Sequence, residues 1–392
     1  MTTIPSAEAI PFWRDVRILR IIAQVIFVIV VLVIAWLLVT NMLAGLKRQN
    51  LGLGFSFLSQ TAGFGIGESA IPYQPTDTYW QAFLVGIANT LRASLIGIVL
   101  ATILGILAGV ARLSSNWLVS RIASTYIEII RNTPLLVQLV FWYTAFFLKL
   151  PTNRNAVSLP GSIYLSNRGV FLPWPVGTES FGNWWPTVGV GLILAVLAWV
   201  ALTRHQLRTG HSFPREIIAL VLLVAPPALA WLLLTRPPVL LELPVQRGLN
   251  FRGGVSLTPE FTALLLGLTV YTGAFIAEIV RAGILAVPRG QTEAARALGL
   301  SHLQVLRLVI FPQALRVIIP PLTSQYLNLT KNSSLAVAIG YPDLFGVAGT
   351  IFNQTGQAVP VITLMMGTYL SLSLITSLLM NIYNARVRLV ER

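Results

Sequence analysis

The sequence predicts an all-α polytopic membrane protein of about eight transmembrane helices. Hydrophobic residues make up 55% of the 392 residues and charged residues only 10%, whereas soluble domains carry about 25% charged residues. Mean hydropathy is +0.76. Several apolar stretches reach the length of about 20 residues that a helix needs to cross a bilayer. These observations exclude an ordinary soluble enzyme and a disordered chain.

Local composition places the spans in order along the chain. The first surrounds Ile21–Val39, where Gln24 is the only strongly polar residue, and no convincing cleavage site follows, so we expect a retained helix. Thr258-Pro259-Glu260 predicts the start of the sixth span, with Thr258 as the N-cap and Pro259 and Glu260 in the first turn. The predicted spans are 18–46, 84–111, 133–150, 187–203, 217–235, 260–284, 313–330 and 358–384.

The distribution of basic residues predicts the orientation. With the N-terminus inside, the inner segments hold 17 Lys and Arg and the outer segments 9. This bias favours eight crossings with both termini in the cytoplasm. The role of basic residues in orientation also explains the excess of 27 Lys+Arg over 13 Asp+Glu, so we do not expect nucleic acid as a partner. Arg92 falls near the outer end of the second span, where we expect its stem to snorkel toward the membrane surface.

The outer segments differ in composition from the rest. Residues 151–186 are rich in proline and contain Trp174, Trp184 and Trp185. Tryptophan at this density before a span favours an interfacial belt, and a surface for a partner remains the alternative. We interpret Gly63, Gly65 and Gly67 as a flexible turn.

Motifs for catalysis or metal binding are absent from the sequence. There is no cysteine and there are only three histidines, so we expect no metal site. The chain has no G-x-x-x-x-G-K-[ST] loop for nucleotide phosphates and no H-E-x-x-H or G-x-S-x-G motif. We therefore predict that the chain is not an enzyme and binds no cofactor itself.

The loop between spans six and seven carries the strongest local signal. Pro288 suits a helix start, and Glu293 lies near that positive end. Alanines follow, and Gly299 suits the left-handed residue that ends a helix. Ser301-His302-Leu303-Gln304 matches a capping box for a second helix. A helix with so little side-chain bulk lets a partner approach closely, although an ordinary surface helix would show the same pattern.

The same loop resembles a known family. Glu293-Ala294-Ala295, Gly299 and Val309-x-Phe311-Pro312 follow the E-A-A-x3-G-x9-I-x-L-P spacing of permease subunits of binding-protein-dependent ABC importers. Val309 and Phe311 replace the usual Ile and Leu. Three further stretches resemble the polar-amino-acid branch: 129–139, 268–284 and 329–339. The additional segments resemble the long, general L-amino-acid form.

The resemblance implies a type I (MetI-like) permease core. The core would comprise 84–150 and 258–392, with the coupling loop at 285–312. Residues 1–83 would form a cytoplasmic tail, an extra helix and a periplasmic loop, and 151–257 an insertion with two extra helices and periplasmic loops. The ATPase-coupling residues would be Arg289, Glu293, Ala294, Ala295, Arg296 and Gly299.

The resemblance also implies partners. These are a second homologous permease, a cytoplasmic ATPase dimer that holds ATP and Mg, and a periplasmic amino-acid-binding protein, all at a bacterial inner membrane. The permease would form the translocation pathway in the lipid bilayer.

A polar segment of span seven is the candidate substrate pathway. Pro320-Pro321 predicts a break in the helix, and broken helices are tolerated where they line a cavity. Gln325, Asn328 and Asn332 would share one helix face. Hydrogen bonding to a partner permease is the alternative use of this face. The candidate residues are Gln325, Asn328, Lys331, Asn332 and Ser333.

The neutral side chains of this segment bear on the substrate. In the family, cation-selective relatives are expected to carry carboxylates near Gln325 and Asn332. An amide does not attract a cationic side chain as a carboxylate does in a low-dielectric cavity. We therefore predict neutral polar and acidic L-amino acids, or a broad range.

Two pairs of charged residues lie at the inner ends of spans. Glu278 and Arg281 suit an i,i+3 pair that steadies the loop, and Glu128 with Arg131 would support the gate or face the ATPase. The alternative class is an ion-coupled secondary transporter that acts without an ATPase, which often shows repeated halves and intramembrane ionisable residues, whereas this chain has few acids within its spans. That alternative is weakened by the lack of clear repeated halves.

Overall fold

The computed structural model describes residues 16–48, 54–211 and 213–387. Arg14, Arg388 and Arg392, which belong to the 17 basic residues counted on the inner side, lie outside these residues. Within them, seven helices are long and apolar enough to cross a membrane, and Leu135–Lys149 forms a shorter apolar helical segment. The helices are α1 Val16–Arg48, α2 Tyr79–Arg112, α3 Trp117–Arg131, α4 Leu135–Val140, α5 Phe181–Thr209, α6 Arg215–Leu233, α7 Pro259–Leu285, α8 Arg289–Ala297, α9 His302–Val305, α10 Phe311–Asn332, α11 Leu344–Thr355 and α12 Ala358–Val387. We call the side that carries α8 inner and the opposite side outer.

Seven of the eight predicted spans correspond to long helices, and the third is built differently. The amphipathic α3 precedes it, and Asn116 caps α3 by accepting hydrogen bonds from two backbone N–H groups. Pro134 then interrupts the chain, because a proline pushes the preceding residue out of helical conformation. After α4 the helical path continues as a π-helical turn, Phe141–Phe146, and a 3-10 turn, Phe147–Lys149.

Close packing of α2 against α7 forms the centre of the core. A β-carbon added at Gly105 would lie 2.5 Å from Ile276 Cγ2, and one at Gly109 would lie 2.6 Å from the carbonyl oxygen of Ala277. Glycines at four-residue spacing therefore let the two backbones approach, as small residues do at helix interfaces in membranes. Leu264 and Leu268 of α7 are fully buried beside this contact region.

The predicted break at Pro320-Pro321 is wrong, because α10 runs unbroken through both prolines. Packing compensates for the two missing N–H donors. Ile318, Ile319 and Leu322 are 4%, 2% and 9% exposed, so the apolar face of α10 is held by neighbouring helices on both sides of the prolines. Neighbouring helices commonly stabilise proline within a transmembrane helix.

A second apolar cluster lies at the outer side. Phe57 and Ala62 of the segment before α2 pack with Phe83 of α2 and with Leu344 and Ile351 of α11. Residues 54–78 therefore cover the outer end of the helical core. The predicted extra helix α1 is almost entirely exposed along its length.

The helices α5 and α6 of the insertion form an antiparallel hairpin. Pro226 and Pro227 lie inside α6 and leave carbonyls without helical donors. Gly191 of α5 faces this point, since a β-carbon there would lie 2.5 Å from the Leu223 oxygen. The indole N–H of Trp184 donates to the carbonyl of Pro227 at 2.9 Å. A glycine and a tryptophan thus accommodate the proline pair.

The outer part of the insertion contains strands that the sequence analysis did not predict. The strands are β1 Val157–Leu159, β2 Ile163–Ser166, β3 Gly169–Leu172, β4 Trp174–Gly177, β5 Val239–Glu242, β6 Val245–Arg247, β7 Asn250–Arg252 and β8 Val255–Leu257. They form an antiparallel sheet of order β1-β2-β3-β8 and two ribbons, β4-β5 and β6-β7. Strands from before α5 pair with strands from after α6, so the insertion closes on itself and leads directly into α7.

Candidate functional site

The loop between α7 and α10 has the helix boundaries that its sequence predicts. Pro288 directly precedes α8 with extended backbone. Gly299 has φ +78°, which is the left-handed conformation expected after a helix end. The N–H of Leu300 donates to the carbonyl of Ala295 at 3.2 Å, a hydrogen bond that closes the C-terminal end of α8.

The predicted capping box of the next helix is also confirmed. The backbone N–H of Ser301 donates to Oε1 of Gln304 at 2.8 Å, and the N–H of Gln304 donates to Oγ of Ser301 at 3.4 Å. Two of the N–H groups that a helix start leaves unpaired are thereby satisfied.

Most of the predicted coupling residues lie on the surface. Arg289, Glu293, Ala294, Arg296 and Gly299 are exposed. Ala295 is the exception at 4% exposure, so the two alanines of the motif divide between an outer and a packed face of α8.

Large apolar side chains flank this surface. Leu298 is 81% exposed and Leu303 is 72% exposed. Apolar side chains beside a smooth helix of small residues make a surface suited to a protein partner.

The loop is connected to the membrane helices at its inner end. Gln313 of α10 donates to Oε1 of Gln291 on α8 at 3.5 Å. α9 continues through a π-helical turn, Leu306–Ile310, into α10. α8 is therefore linked to one continuous helical segment that runs from Leu303 to Ile339.

Charged side chains at the inner side form one network rather than two pairs. Glu278 accepts hydrogen bonds from Nη2 and Nε of Arg281 at 2.6 and 3.1 Å, as the i,i+3 spacing predicts. Arg112 of α2 joins them by donating to the other carboxylate oxygen of Glu278. Arg112 also lies 3.9 Å from Glu128. Sequence analysis counted Arg112 only for topology and missed this role.

Arg131 takes a different position from the one that pairing with Glu128 would give. Its guanidinium lies over the ring of Phe275, 5.2 Å from the centroid, in a cation–π arrangement. Arg131, Glu128 and Glu278 all line a cavity of about 270 Å³ between α2, α3 and α7. The four predicted residues therefore gather at one place, with Arg112 at its centre.

The polar segment of α10 is only partly exposed. Asn328 and Lys331 are exposed, and Gln325 and Asn332 are half-buried. Ser333 is fully buried and donates to the carbonyl of Thr330 at 2.8 Å, so its hydroxyl is used within the helix. The exposed polar face also includes Ser324, which the sequence analysis did not single out.

The glycine-rich segment before α2 lies over an outer cavity. The cavity measures about 520 Å³ and is lined by Phe64–Glu68, by Thr258 and Glu260, and by the turn between α10 and α11. Glu260 accepts a hydrogen bond from the hydroxyl of Tyr143 at 2.8 Å. The predicted flexible turn thus packs against the core.

The expected snorkelling of Arg92 is wrong. Its Nη1 donates to Oε1 of Glu68 at 2.8 Å, and its guanidinium lies 4.2 Å from the ring centroid of Phe261. The hydroxyl of Thr258 donates to the other oxygen of Glu68. Burial raises the pKa of the Glu68 carboxyl, which the Thr258 hydrogen bond and the charge of Arg92 partly offset. A charge of the preceding loop therefore holds Arg92 in place.

A second buried acid, Asp343, connects α11 and α12 at the outer side. Asp343 is 0% exposed, and its Oδ1 accepts the N–H of Gly346 at 2.9 Å as the cap of α11. The hydroxyl of Tyr369 on α12 donates to Oδ2 at 3.2 Å. Burial raises the pKa of Asp343 to about 6. Among the described residues, no three His, Cys, Asp or Glu side chains gather as a metal site would require.

Comparisons with known proteins bear on this arrangement. Residues 101–216 and 212–389 match the family described as binding-protein-dependent transport system inner membrane component. YhdX of Escherichia coli (strain K12), named as an amino-acid ABC transporter permease protein, is 50% identical over 94% of each chain. The general L-amino acid transport system permease protein AapQ of Rhizobium johnstonii is 46% identical, over 96% of this chain and 94% of its own.

Two further similarities extend the comparison. The glutamate/glutamine/aspartate/asparagine transport system permease protein BztB of Rhodobacter capsulatus is 41% identical over 96% of each chain. A crystal structure of an amino acid ABC transporter with histidines matches with 23% identity and a TM-score of 0.47, over 79% of this chain and 95% of that chain.

The similarity to these three relatives covers 94–96% of this chain and therefore includes most of the insertion between residues 151 and 257. The family description names an inner membrane component of a binding-protein-dependent transport system. This chain belongs to the family of inner membrane permease components of binding-protein-dependent ABC transporters.

Proposed function

We propose that the chain imports L-amino acids as a permease subunit of an ATP-driven transporter, and that its substrates are neutral polar and acidic amino acids or a broad range. Two of its full-length relatives are named for general L-amino acids and for glutamate, glutamine, aspartate and asparagine. The neutral amides of Gln325 and Asn332 support the same range, because they supply no charge to select a cationic side chain.

The exposed helix α8 supports coupling to a separate ATPase. Its small side chains and the exposed Leu298 form a surface, and Gln291 and the continuous helical segment through α10 connect this surface to the polar segment. The ATPase dimer would hold ATP and Mg, and this chain would contribute no catalytic group and no cofactor. Arg289, Glu293, Ala294 and Arg296 would contact the ATPase, and Ala295 would pack α8 against its own loop.

The exposed polar face of α10 supports a second homologous permease. Asn328 and Lys331 would be costly if they faced lipid. A heterodimer would cover this face and place it along a water-accessible pathway between the two permeases. Gln325 and Asn332 border the same face, whereas Ser333 would support the helix from within.

The inner network supports a gate at the other end of the pathway. Arg112, Glu278 and Glu128 connect α2, α7 and α3, so a change in their pairing would accompany relative movement of these helices. The excess of arginines on the inner side supports a cytoplasmic location of both termini under the positive-inside rule.

Reconstitution tests this function directly. The chain is inserted into proteoliposomes together with a second permease and an ATPase, and uptake of radiolabelled glutamine is measured with a candidate amino-acid-binding protein outside. We expect uptake only with internal ATP and with the binding protein. Competition by glutamate should exceed competition by arginine. Uptake that persists without ATP and collapses with an uncoupler would instead establish an ion-coupled secondary transporter.

The Gly299→Val variant tests the coupling loop. A β-carbon at this position would meet no atom within 4 Å, so the cost comes from the backbone, which a β-branched residue rarely adopts at φ +78°. We expect loss of the ATPase stimulation that depends on substrate and binding protein. Gly290→Ala is the matched control: Gly290 lies on α8 in open space with ordinary backbone, and alanine favours a helix. Normal coupling in Gly299→Val would contradict the assignment.

A further inference from the structure

The outer part of the insertion carries more positive charge than topology requires. Residues 151–180 and 234–257 contain five arginines and only two glutamates, although Lys and Arg are normally concentrated on the inner side. Arg236 is paired with Glu179 at 3.6 Å. Within the described residues, the other four are exposed and lie in no ion pair. We call these four the outer arginine cluster: Arg154, Arg168, Arg247 and Arg252.

The β6-β7 hairpin brings the cluster together. Arg247 and Arg252 are part of the hairpin itself. Gln246 donates to the carbonyl of Arg154 at 3.4 Å, and Arg168 donates to Oδ1 of Asn250 at 2.9 Å. The segments around Arg154 and Arg168 are therefore linked to the hairpin that carries Arg247 and Arg252.

The register of the hairpin sets the direction of its arginines. Val245 pairs with Arg252, Gln246 with Phe251 and Arg247 with Asn250. Because strand residues alternate between faces, Arg247 and Arg252 lie on the face opposite to Phe251.

The opposite face of the hairpin is packed. The Phe251 ring lies 4.7 Å from the Tyr164 ring and 4.5 Å from the Phe171 ring, between centroids. The aromatic contacts anchor the hairpin on the four-stranded sheet through its Phe251 face, and Arg247 and Arg252 are exposed on the other face.

Apolar side chains accompany the charge. Gly248 has φ +63° as the first residue of the two-residue turn, which is typical of a type II′ hairpin. The turn presents Leu249 at 72% exposure, and Val245 is 55% exposed. Arginine is enriched at protein interfaces and lysine is depleted there, and this outer cluster contains arginine only.

We propose that the outer arginine cluster docks an acidic face of the soluble amino-acid-binding protein. This inference rests on the proposed function and adds to it the surface that receives this partner. Trp184 and Trp231 lie at the outer ends of α5 and α6, where we expect an aromatic belt at the membrane surface. The β4-β5 ribbon intervenes between these helix ends and the hairpin along the chain. Because β5 separates α6 from the hairpin along the chain, we expect the cluster to meet a soluble protein rather than lipid headgroups.

The test measures binding of that binding protein to the complete transporter in phosphatidylcholine nanodiscs. The binding protein is the one that supports ATP-dependent uptake in the reconstitution. We expect Arg247→Ala/Arg252→Ala to raise its Kd about tenfold at low ionic strength and less at high ionic strength, because salt screens exposed charges. Arg247→Lys/Arg252→Lys should retain most of the affinity. Arg236→Ala is the matched control, since Glu179 already neutralises this outer arginine.

Uptake kinetics separate this inference from the proposed function. The double alanine variant should reach the wild-type maximal uptake rate at excess binding protein, with only the half-saturating concentration of binding protein raised. A wild-type transporter without stimulated uptake would contradict the proposed function itself. An unchanged Kd in the double alanine variant would overturn the docking site. So would a loss of affinity confined to nanodiscs of phosphatidylglycerol, which would assign the arginines to anionic lipid headgroups.

Discussion

Replacing Gly105 by alanine probes the contact between α2 and α7, on which the permease core depends. The added β-carbon would lie 2.5 Å from Cγ2 and 2.6 Å from Cβ of Ile276, and 3.0 Å from the carbonyl oxygen of Gly273. A rotamer change of Ile276 relieves only the first contact, because its Cβ is fixed by the backbone. The two helices must separate by about 0.9 Å to restore ordinary carbon contacts of about 3.5 Å.

The magnitude follows from comparison with Gly97 on the same helix. A β-carbon there would meet Leu329 Cδ2 at 3.4 Å, which is an ordinary contact with the end of a flexible side chain. Both replacements gain about 1 kcal/mol of helix propensity, so this gain cancels between them. Overpacking costs about 1–3 kcal/mol. Gly105→Ala should therefore be less stable than Gly97→Ala by about that amount.

Thermal unfolding of the detergent-purified complex, followed by fluorescence-detected size exclusion, measures the difference. We expect an apparent Tm for Gly105→Ala about 2–6 °C below that of Gly97→Ala, scaled from about 2 °C per kcal/mol in large domains. Gly97→Ala should equal or exceed wild type. Equal Tm values for the two variants would refute the close approach of α2 and α7.

Two further predictions concern the outer side. Asp343→Asn should keep the cap on Gly346 and remove a buried charge. Because the folded pKa of Asp343 is raised to about 6 above its ordinary value of about 3.9, wild type gains stability as pH falls from 7.5 through 6, whereas the variant does not. At pH 7.5 the free energy of unfolding of Asp343→Asn should exceed that of wild type by about 1–3 kcal/mol, which raises the Tm of the variant. This difference in Tm should shrink toward pH 5. A difference that does not depend on pH would contradict the buried charge. Glu68→Gln should lower the Tm, because Arg92 loses its carboxylate partner, and Glu68→Gln/Arg92→Met should recover part of the loss. A double variant less stable than the single variant would argue against this pairing.

The coupling loop shows which features local chemistry makes predictable. The start of α8 after Pro288, the stop at Gly299 and the capping box at Ser301 each depend on residues within a few positions of one another. Backbone donors and acceptors at helix ends must be satisfied locally, so the residue types are enough to predict the conformation. Hydropathy over about 20 residues predicts most of the spans, because the hydrophobicity needed to cross the membrane is also a property of one short stretch of chain.

The charged networks show what local pattern leaves open. Arg112 contacts Glu278, and Arg92 contacts Glu68, across separations of 166 and 24 residues. Hydropathy places each charge at a depth in the membrane but does not select its partner. Which face of α10 is exposed also depends on how α7 and α12 pack around it. Successive side chains of a helix differ by about 100° around its axis, so an error of one residue in the predicted orientation exposes a different set of side chains.

The sequence by itself determined the membrane class, the spans, the helix boundaries of the coupling loop and the family resemblance, because hydrophobicity and capping act over short stretches of chain. Only the tertiary structure decided that α10 continues through its two prolines, that Arg112 joins the inner network, and that strands β3 and β8 pair across the α5-α6 hairpin. Each of these depends on contacts between distant segments, where packing supplies the free energy that local preference lacks.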